Sequence, residues 1–374
     1  MNVLKWELMK IFKQKSLYLI GIFLFGWFTF IAFDVENTDL TKQVYQKWEG
    51  PITAEKLAQA QKVTADINED ISAEKVLDER RSLEYSVVEN ITLSQTIVSQ
   101  NKERASDLEK LIREAEIKGD TALANKLALQ KDMYNDVKVD KISYYAGPRE
   151  AVDFVNVFGL ILTGVFLLIG LSGIYSNEVS SGVENYILST KNGREVAMRA
   201  KLLASFIFTT IVVLVWEIFN LIIKTVIYGT KGWDLPIQYS FKYFASPYSL
   251  TFTEYHLIQM GFHLLAALAF AGVFVVISTL SKSTVISFFV SGFLFGIPLL
   301  ASNIMNNGPL WLNKVMKFTL TNMMKVEDLF MNFISVNLFG YPFLAPFVSI
   351  VVAVIILIMA IFLARLLITK KQIA

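Results

Sequence analysis

Residues 154–228 read FVNVFGLILTGVFLLIGLSGIYSNEVSSGVENYILSTKNGREVAMRAKLLASFIFTTIVVLVWEIFNLIIKTVIY. The first part, 154–174, carries no charge, and the last part, 202–228, carries only Glu217 and Lys224. Each run is long enough, at about 1.5 Å per helical residue, to cross a hydrocarbon layer of roughly 30 Å. Between them lies a polar, Gly-punctuated stretch, 175–199. Two spans joined by one short polar loop make this an integral membrane protein, and the chain-wide composition agrees: 54% hydrophobic, 13% aromatic, mean hydropathy +0.47, too apolar for a soluble domain of this length.

Working outward, four further runs have span character: 17–33, 257–280, 285–301 and 343–367. The run 17–33 is preceded by a basic amphipathic stretch with Lys5, Lys10, Lys13 and Lys15 among Leu4, Trp6, Leu8 and Phe12, which predicts a helix on the inner membrane surface. No small-residue cleavage site precedes Asp34, so this is read as an anchor and not a cleaved leader. Gly159, Gly164, Gly170 and Gly173 in the second span predict close helix packing. Trp233, Tyr239, Tyr243 and Tyr248 predict an interfacial aromatic belt. Residues 303–342 read as an amphipathic helix or re-entrant hairpin.

Residues 34–150 are different in kind, with 23 acidic and 17 basic residues, net −6, in a chain of net +2. Val87, Ile91, Ser94, Val98, Asn101, Ala105, Leu108, Ile112 and Ala115 step by four and three, a heptad seam with polar breaks that set register. Gly119 and Asp120 end that helix and cap the next, whose seam is Leu123, Leu127, Gln130, Tyr134 and Val137. A shorter helix starting near Thr53 completes a small bundle. Basic residues cluster at the amino terminus, in 175–201, at Lys282 and at Arg365, Lys370 and Lys371, four alternate segments that belong inside, while Lys314, Lys317 and Lys325 dissent mildly. The expectation is therefore all-α: a polytopic membrane protein with six transmembrane helices, an N-terminal interfacial helix and a large extracellular coiled-coil-like domain, divided as 1–33, 34–150 and 151–374. It would sit in the cell membrane with both termini cytosolic, and cysteines placed at Ser94 or Asn322 would be reachable from outside.

The stretch 175–199 carries the functional signal. Glu178 and Gly182 are four apart and share a helical face, Tyr186, Ile187 and Leu188 form an apolar patch, and Asn192-Gly193 marks a turn. This predicts a short helix across the membrane surface. Glu178, Gly182, Leu188, Ser189, Thr190 and Arg194 together resemble the docking loop of permease subunits of type-2 ATP-binding-cassette (ABC) exporters, with departures at Val183, where Thr is frequent, and Lys191, where Pro is frequent. The resemblance implies that Glu178, Gly182, Tyr186, Leu188 and Arg194 couple the chain to two copies of an ABC ATPase subunit. It further implies a second permease subunit, identical or related, and hydrophobic or amphipathic cargo such as a peptide, lipid or antimicrobial compound. ATP and Mg would be held by the ATPase.

The chain itself has no phosphate-binding Gly-x4-Gly-Lys-Ser/Thr loop and no HExxH or GxSxG, and with two histidines and no cysteine it reads as non-catalytic, with no cofactor, no metal and no nucleic-acid partner. His256 and His263 are read as structural hydrogen-bonding groups. Glu217, Asn220 and Lys224 lie on one face of the third span and must meet protein or water, because each charge at mid-bilayer costs about 2.5–3.5 kcal/mol. They are candidates for a translocation path or subunit seam, or for an interhelical bond to a neighbour such as His263. The competing function is a membrane sensor or immunity protein that binds a peptide through its helical domain. A third reading is an anchor for that domain.

Overall fold

The computed structural model describes residues 2–33, 38–190, 193–304 and 315–371. The chain is mostly helical, and six helical stretches are long and apolar enough to cross a membrane: Lys15–Phe33, Ala146–Ser180, Gly193–Tyr228, Phe252–Leu280, Thr284–Ala301 and Ala345–Lys370. Each overlaps one of the six runs read from the sequence. Their ends shift where local capping decides them. Thr251, for example, accepts from the Glu254 amide while the Glu254 carboxylate takes the Thr251 amide, a capping box that starts this helix five residues early.

The chain begins with α1 (Asn2–Phe12), which packs against the later helix Gly193–Tyr228, and continues through α2 (Lys15–Phe33). A helical domain follows: α3 (Thr38–Trp48), strand β1 (Gly50–Pro51), α4 (Ala54–Ser72), α5 (Glu79–Ile117), α6 (Thr121–Asp136) and strand β2 (Lys141–Ile142). Thr53 caps α4, and Gly119 (φ +73°) with Asp120 turns α5 into α6. The seam of α5 is buried at Val87, Ile91, Ser94, Asn101, Ala105, Leu108 and Ala115. On α6, Ala124 takes the inward place expected of Leu123, which is exposed. Neither α3 nor the antiparallel β1–β2 pairing of Gly50 with Ile142 was anticipated.

The base of this domain does not end at the membrane part. Val87, Val88, Ile91 and Ile97 belong to one apolar core with Tyr239, Tyr243, Phe252 and Tyr255, whereas only Leu108, Leu127 and Tyr134, with Ile112 against them, form a cluster of their own farther out. The aromatic residues read as an interfacial belt are thus largely a seat for the domain. Tyr239 and Tyr243 are buried, Tyr239 donates to the Lys141 carbonyl at 2.8 Å, and its ring lies 5.3 Å from that of Tyr145.

The second span is composite: α7 (Ala146–Phe154), a π turn (Val155–Gly159), α8 (Leu160–Leu171) and the short α9 (Ser176–Ser180). Gly159, Gly164 and Gly170 support packing by seating aromatic rings, whereas Gly173 meets the Asn177 side chain. A Cβ on Gly159 would lie 2.7 Å from the Trp216 ring and one on Gly164 2.5 Å from the Phe295 ring, while Phe208 covers Gly170. After α10 (Glu184–Ser189) come α11 (Gly193–Tyr228), α12 (Phe252–Leu280) and α13 (Thr284–Ile304).

Of the 303–342 region, the described part holds α14 (Leu320–Lys325), α15 (Glu327–Phe330) and a hairpin of β3 (Ser335–Leu338) with β4 (Tyr341–Leu344), leading into α16 (Ala345–Lys370); Lys314 lies outside the described residues. Phe339 and Gly340 both have positive φ, the two-residue turn such a hairpin needs. α14 enters the bundle, with Thr321 Oγ1 bonded to the Phe295 carbonyl at 2.9 Å. Asn322 is 1% exposed, and so is Ser94. Neither site is open to a reagent, contrary to expectation, because both face packed helices. Among the described residues, two small β pairs and an isolated bridge between Pro236 and Thr251 are the exceptions to the all-α expectation.

Candidate functional site

The 175–199 stretch is not one surface helix. It is α9, a turn at Gly182, α10, and the first two turns of α11; of the expected Asn192-Gly193 turn, Gly193 begins α11, while Asn192, like Lys191, lies outside the described residues. Gly182 has φ +73° with open space around it, so glycine is needed for the backbone and not for clearance. Ser278 of α12 fixes the entry: its hydroxyl oxygen accepts from the amides of Tyr175 and Ser176, both at 3.0 Å.

Beneath this stretch is a buried ionic cluster. Lys201 of α11 is fully buried, and its ammonium donates to Glu178 Oε1 at 2.6 Å, Glu7 Oε2 at 3.0 Å and the Ile174 carbonyl at 2.9 Å, which uses all three of its protons. Lys10 donates to the same two carboxylates, at 2.8 Å to Glu178 and 3.0 Å to Glu7. Burial pulls the Lys10 pKa down, but the two carboxylates outweigh it and hold the group above the ordinary lysine value. Two cations and two anions therefore tie α1, α9 and α11 together. A cavity of about 390 Å³ opens beside them, lined by Gln14, Gly173, Asn177 and Ser181 as well as Glu7, Lys10 and Glu178, and Glu178 Oε2 is buried without a partner among the described residues.

The other sequence candidates fall into two sets. Glu178 and Leu188 are buried, and Arg194 is turned inward, donating to the carbonyls of Leu188 (3.4 Å) and Thr369 (3.3 Å). Glu184, buried as well, takes the Tyr175 hydroxyl at 2.8 Å and pairs with Lys371. These residues position the stretch against α11 and the carboxyl-terminal helix. Gly182, Val183 and Tyr186 face outward, Tyr186 at 77% exposure. Sequence reading missed Glu7 and Lys201. The available signal was Glu7, the one acid in a basic helix, and Lys201, the last charge before an apolar run.

At the opposite end of the spans, Glu217, Asn220 and Lys224 diverge to different partners. Glu217 meets His256 Nε2 at 2.6 Å, Asn220 donates to the Ala151 carbonyl at 3.1 Å and to Glu217 at 3.4 Å, and Lys224 reaches Glu150 at 3.5 Å. The interhelical partner is His256, not His263, which is fully buried between Thr163 and the Met324 carbonyl. Gln259 donates to the Val152 carbonyl and to Asn156. Two side-chain amides thus hold the carbonyls just before the π turn, a helix form frequent at functional sites. Among the described residues no group of His, Asp and Glu is arranged to hold a metal ion. Comparison with protein-family models, with curated proteins and with solved structures finds no match to this chain.

Proposed function

We propose that the chain is the membrane permease subunit of an ATP-driven ABC exporter. The observation that carries this reading is the Lys201 cluster. Force applied to the exposed Gly182 and Tyr186 would pass through Glu178 to α11 and α1 together, because the buried Lys201 ammonium, with all three protons bonded, resists local rearrangement. Val183 (45% exposed) and Tyr186 supply an apolar contact for an ATPase, and the basic segments on this side argue that it faces the cytosol. The helical domain then lies outside. The ATPase is a separate subunit, in two copies, and a second permease completes the assembly.

The test is co-purification from native membranes. An ABC ATPase is expected to accompany the parent chain, and Tyr186→Ala with Val183→Asp is expected to release it while leaving the helical content unchanged. Absence of any ATPase with the parent, or full retention by the double variant, overturns the reading. The exposed Leu111, Ile117 and Leu123 at the far end of the α5–α6 hairpin favour the second reading, a sensor that binds peptide there. Such a sensor would co-purify without an ATPase.

A further inference from the structure

Where the helical domain meets the spans there is a cavity of about 570 Å³, within the range of roughly 300–1,000 Å³ usual for small-molecule sites. Its walls come from the end of α2, from α3 and α5, from the start of α7 and from the end of α11. It shares Ile31, Ala32, Phe158 and Lys224 with a crevice of only about 30 Å³ between α2, the π turn and α11, faced by Phe28, Phe154 and Phe219 and too small for an acyl chain. The chamber at the level of the span ends is therefore closed toward the spans by aromatic rings. Phe30 and Phe33, on the same last turn of α2, are exposed on the bundle's outer face, so the α2 wall of the chamber lies next to lipid.

The charge in the chamber is unbalanced. Arg149 and Lys224 share one carboxylate, Glu150, at 3.1 and 3.5 Å. Among the described residues that is the only hydrogen bond of the Arg149 side chain, which leaves most of its five N–H donors unused. The start of α7 also opens here: Tyr145 and Ala146 line the chamber, and no side chain caps the helix. Its first amides and the positive end of its dipole add to the field of the two cations. The hydroxyls of Tyr144 and Tyr228 complete the rim. Cations, free donors and tyrosines beside the exposed Phe30 and Phe33 match a phosphate headgroup whose acyl chains stay in the bilayer.

We propose that this cavity binds the headgroup of one anionic phospholipid from the membrane leaflet on the domain side, with its phosphate on Arg149 and Lys224 and its acyl chains outside, against Phe30 and Phe33 of α2. The site joins the domain to α2, α7 and α11 through a lipid, and it stands whether or not the chain is a transport subunit. The experiment is native mass spectrometry of the purified full-length protein titrated with phosphatidylglycerol or phosphatidylcholine of equal chain length. Parent protein is expected to hold one phosphatidylglycerol at least tenfold more tightly than phosphatidylcholine. Arg149→Gln removes the cation and is expected to lose that preference, and Arg149→Lys is expected to restore most of it. Ala32→Trp fills the α2 side of the chamber and is expected to abolish retention of the lipid, an independent readout if Arg149→Gln does not fold. Equal binding of the two lipids, parent-like binding by folded Arg149→Gln, or parent-like binding by Ala32→Trp overturns the proposal. Displacement of the lipid by millimolar glycerol phosphate overturns it too, since the site would then be one for free phosphate.

Discussion

Replacing Lys201 by Met tests the ionic cluster most directly. The parent cluster is neutral, with Lys10 and Lys201 against Glu7 and Glu178, and the side chains of Lys201, Glu7 and Glu178 are 0%, 6% and 9% exposed. Met fills nearly the same volume but leaves two carboxylates with only Lys10, whose side chain is 56% exposed. Removing one partner from a buried pair costs about 3–5 kcal/mol, because the remaining charge is left uncompensated. Lys10 still bonds both acids, so the lower end of that range, about 3 kcal/mol, is expected. The sharper expectation concerns the combination. Adding Glu178→Gln to Lys201→Met restores neutrality, with Glu7 and Lys10 alone, and should recover more than half of the loss. Reversible denaturation in micelles, read by tryptophan fluorescence with helical content in parallel, gives both values. A Lys201→Met protein as stable as the parent, or a double variant less stable than the single, would refute the argument that neutrality of a buried cluster holds α1, α9 and α11 together.

Gly159→Ala should cost about 1–3 kcal/mol by driving a methyl into the Trp216 ring, and Trp216→Leu in the same chain should relieve part of it, read by the same denaturation assay. Asn101, 3% exposed with an unpartnered Nδ2, should stabilise the chain by about 1 kcal/mol when changed to Leu, and a loss of stability would count against its having an unsatisfied amide. For topology, single cysteines at Ile117, 86% exposed, and Tyr186 should behave oppositely toward an impermeant maleimide on intact cells, with 117 labelled and 186 protected. Labelling at 186 sinks the orientation.

What the sequence revealed is what depends on neighbours along the chain. The spans follow from length and apolarity. The α5 seam follows from steps of four and three, and the Thr53 and Asp120 caps from one side chain reaching an amide three residues on. What stayed hidden depends on distant partners. Lys201 and Glu7 are 194 residues apart, and nothing local distinguishes a basic residue that snorkels from one that is sealed inside. Tyr239 and Tyr243 have the amphipathic rings of an interfacial belt, and the same chemistry suits a buried seat with hydroxyl partners, so composition alone could not separate the two. The 335–344 hairpin lacks an Asn-Gly or Asp-Gly signal, because Phe339 occupies a positive-φ position that a bulky residue rarely takes.

The stripe on α11 poses the remaining question, whether its charge is there for packing or for passage. Glu217 accepts at both oxygens, from Asn220 Nδ2 and at His256 Nε2, and His256 Nδ1 has no partner. That unused nitrogen makes a neutral replacement geometrically simple. In Glu217→Gln the amide oxygen can take the Asn220 proton, the amide NH2 can donate to Nε2, and the imidazole proton moves to Nδ1. No hydrogen bond is lost, so stability should change by less than about 1 kcal/mol. Glu217→Leu instead leaves Asn220 and His256 each short of one partner, at about 1–3 kcal/mol apiece. If the stripe is purely a seam, Gln should leave every activity of the assembled protein intact, and only Leu should impair it, by impairing assembly. If cargo meets the stripe, Glu217→Gln should alter cargo-stimulated ATP hydrolysis in reconstituted vesicles at unchanged stability and basal hydrolysis. The seam account of the hydrogen bonds fails if Gln destabilises the protein as much as Leu, since the buried negative charge and not its bonding geometry would then be what α12 requires.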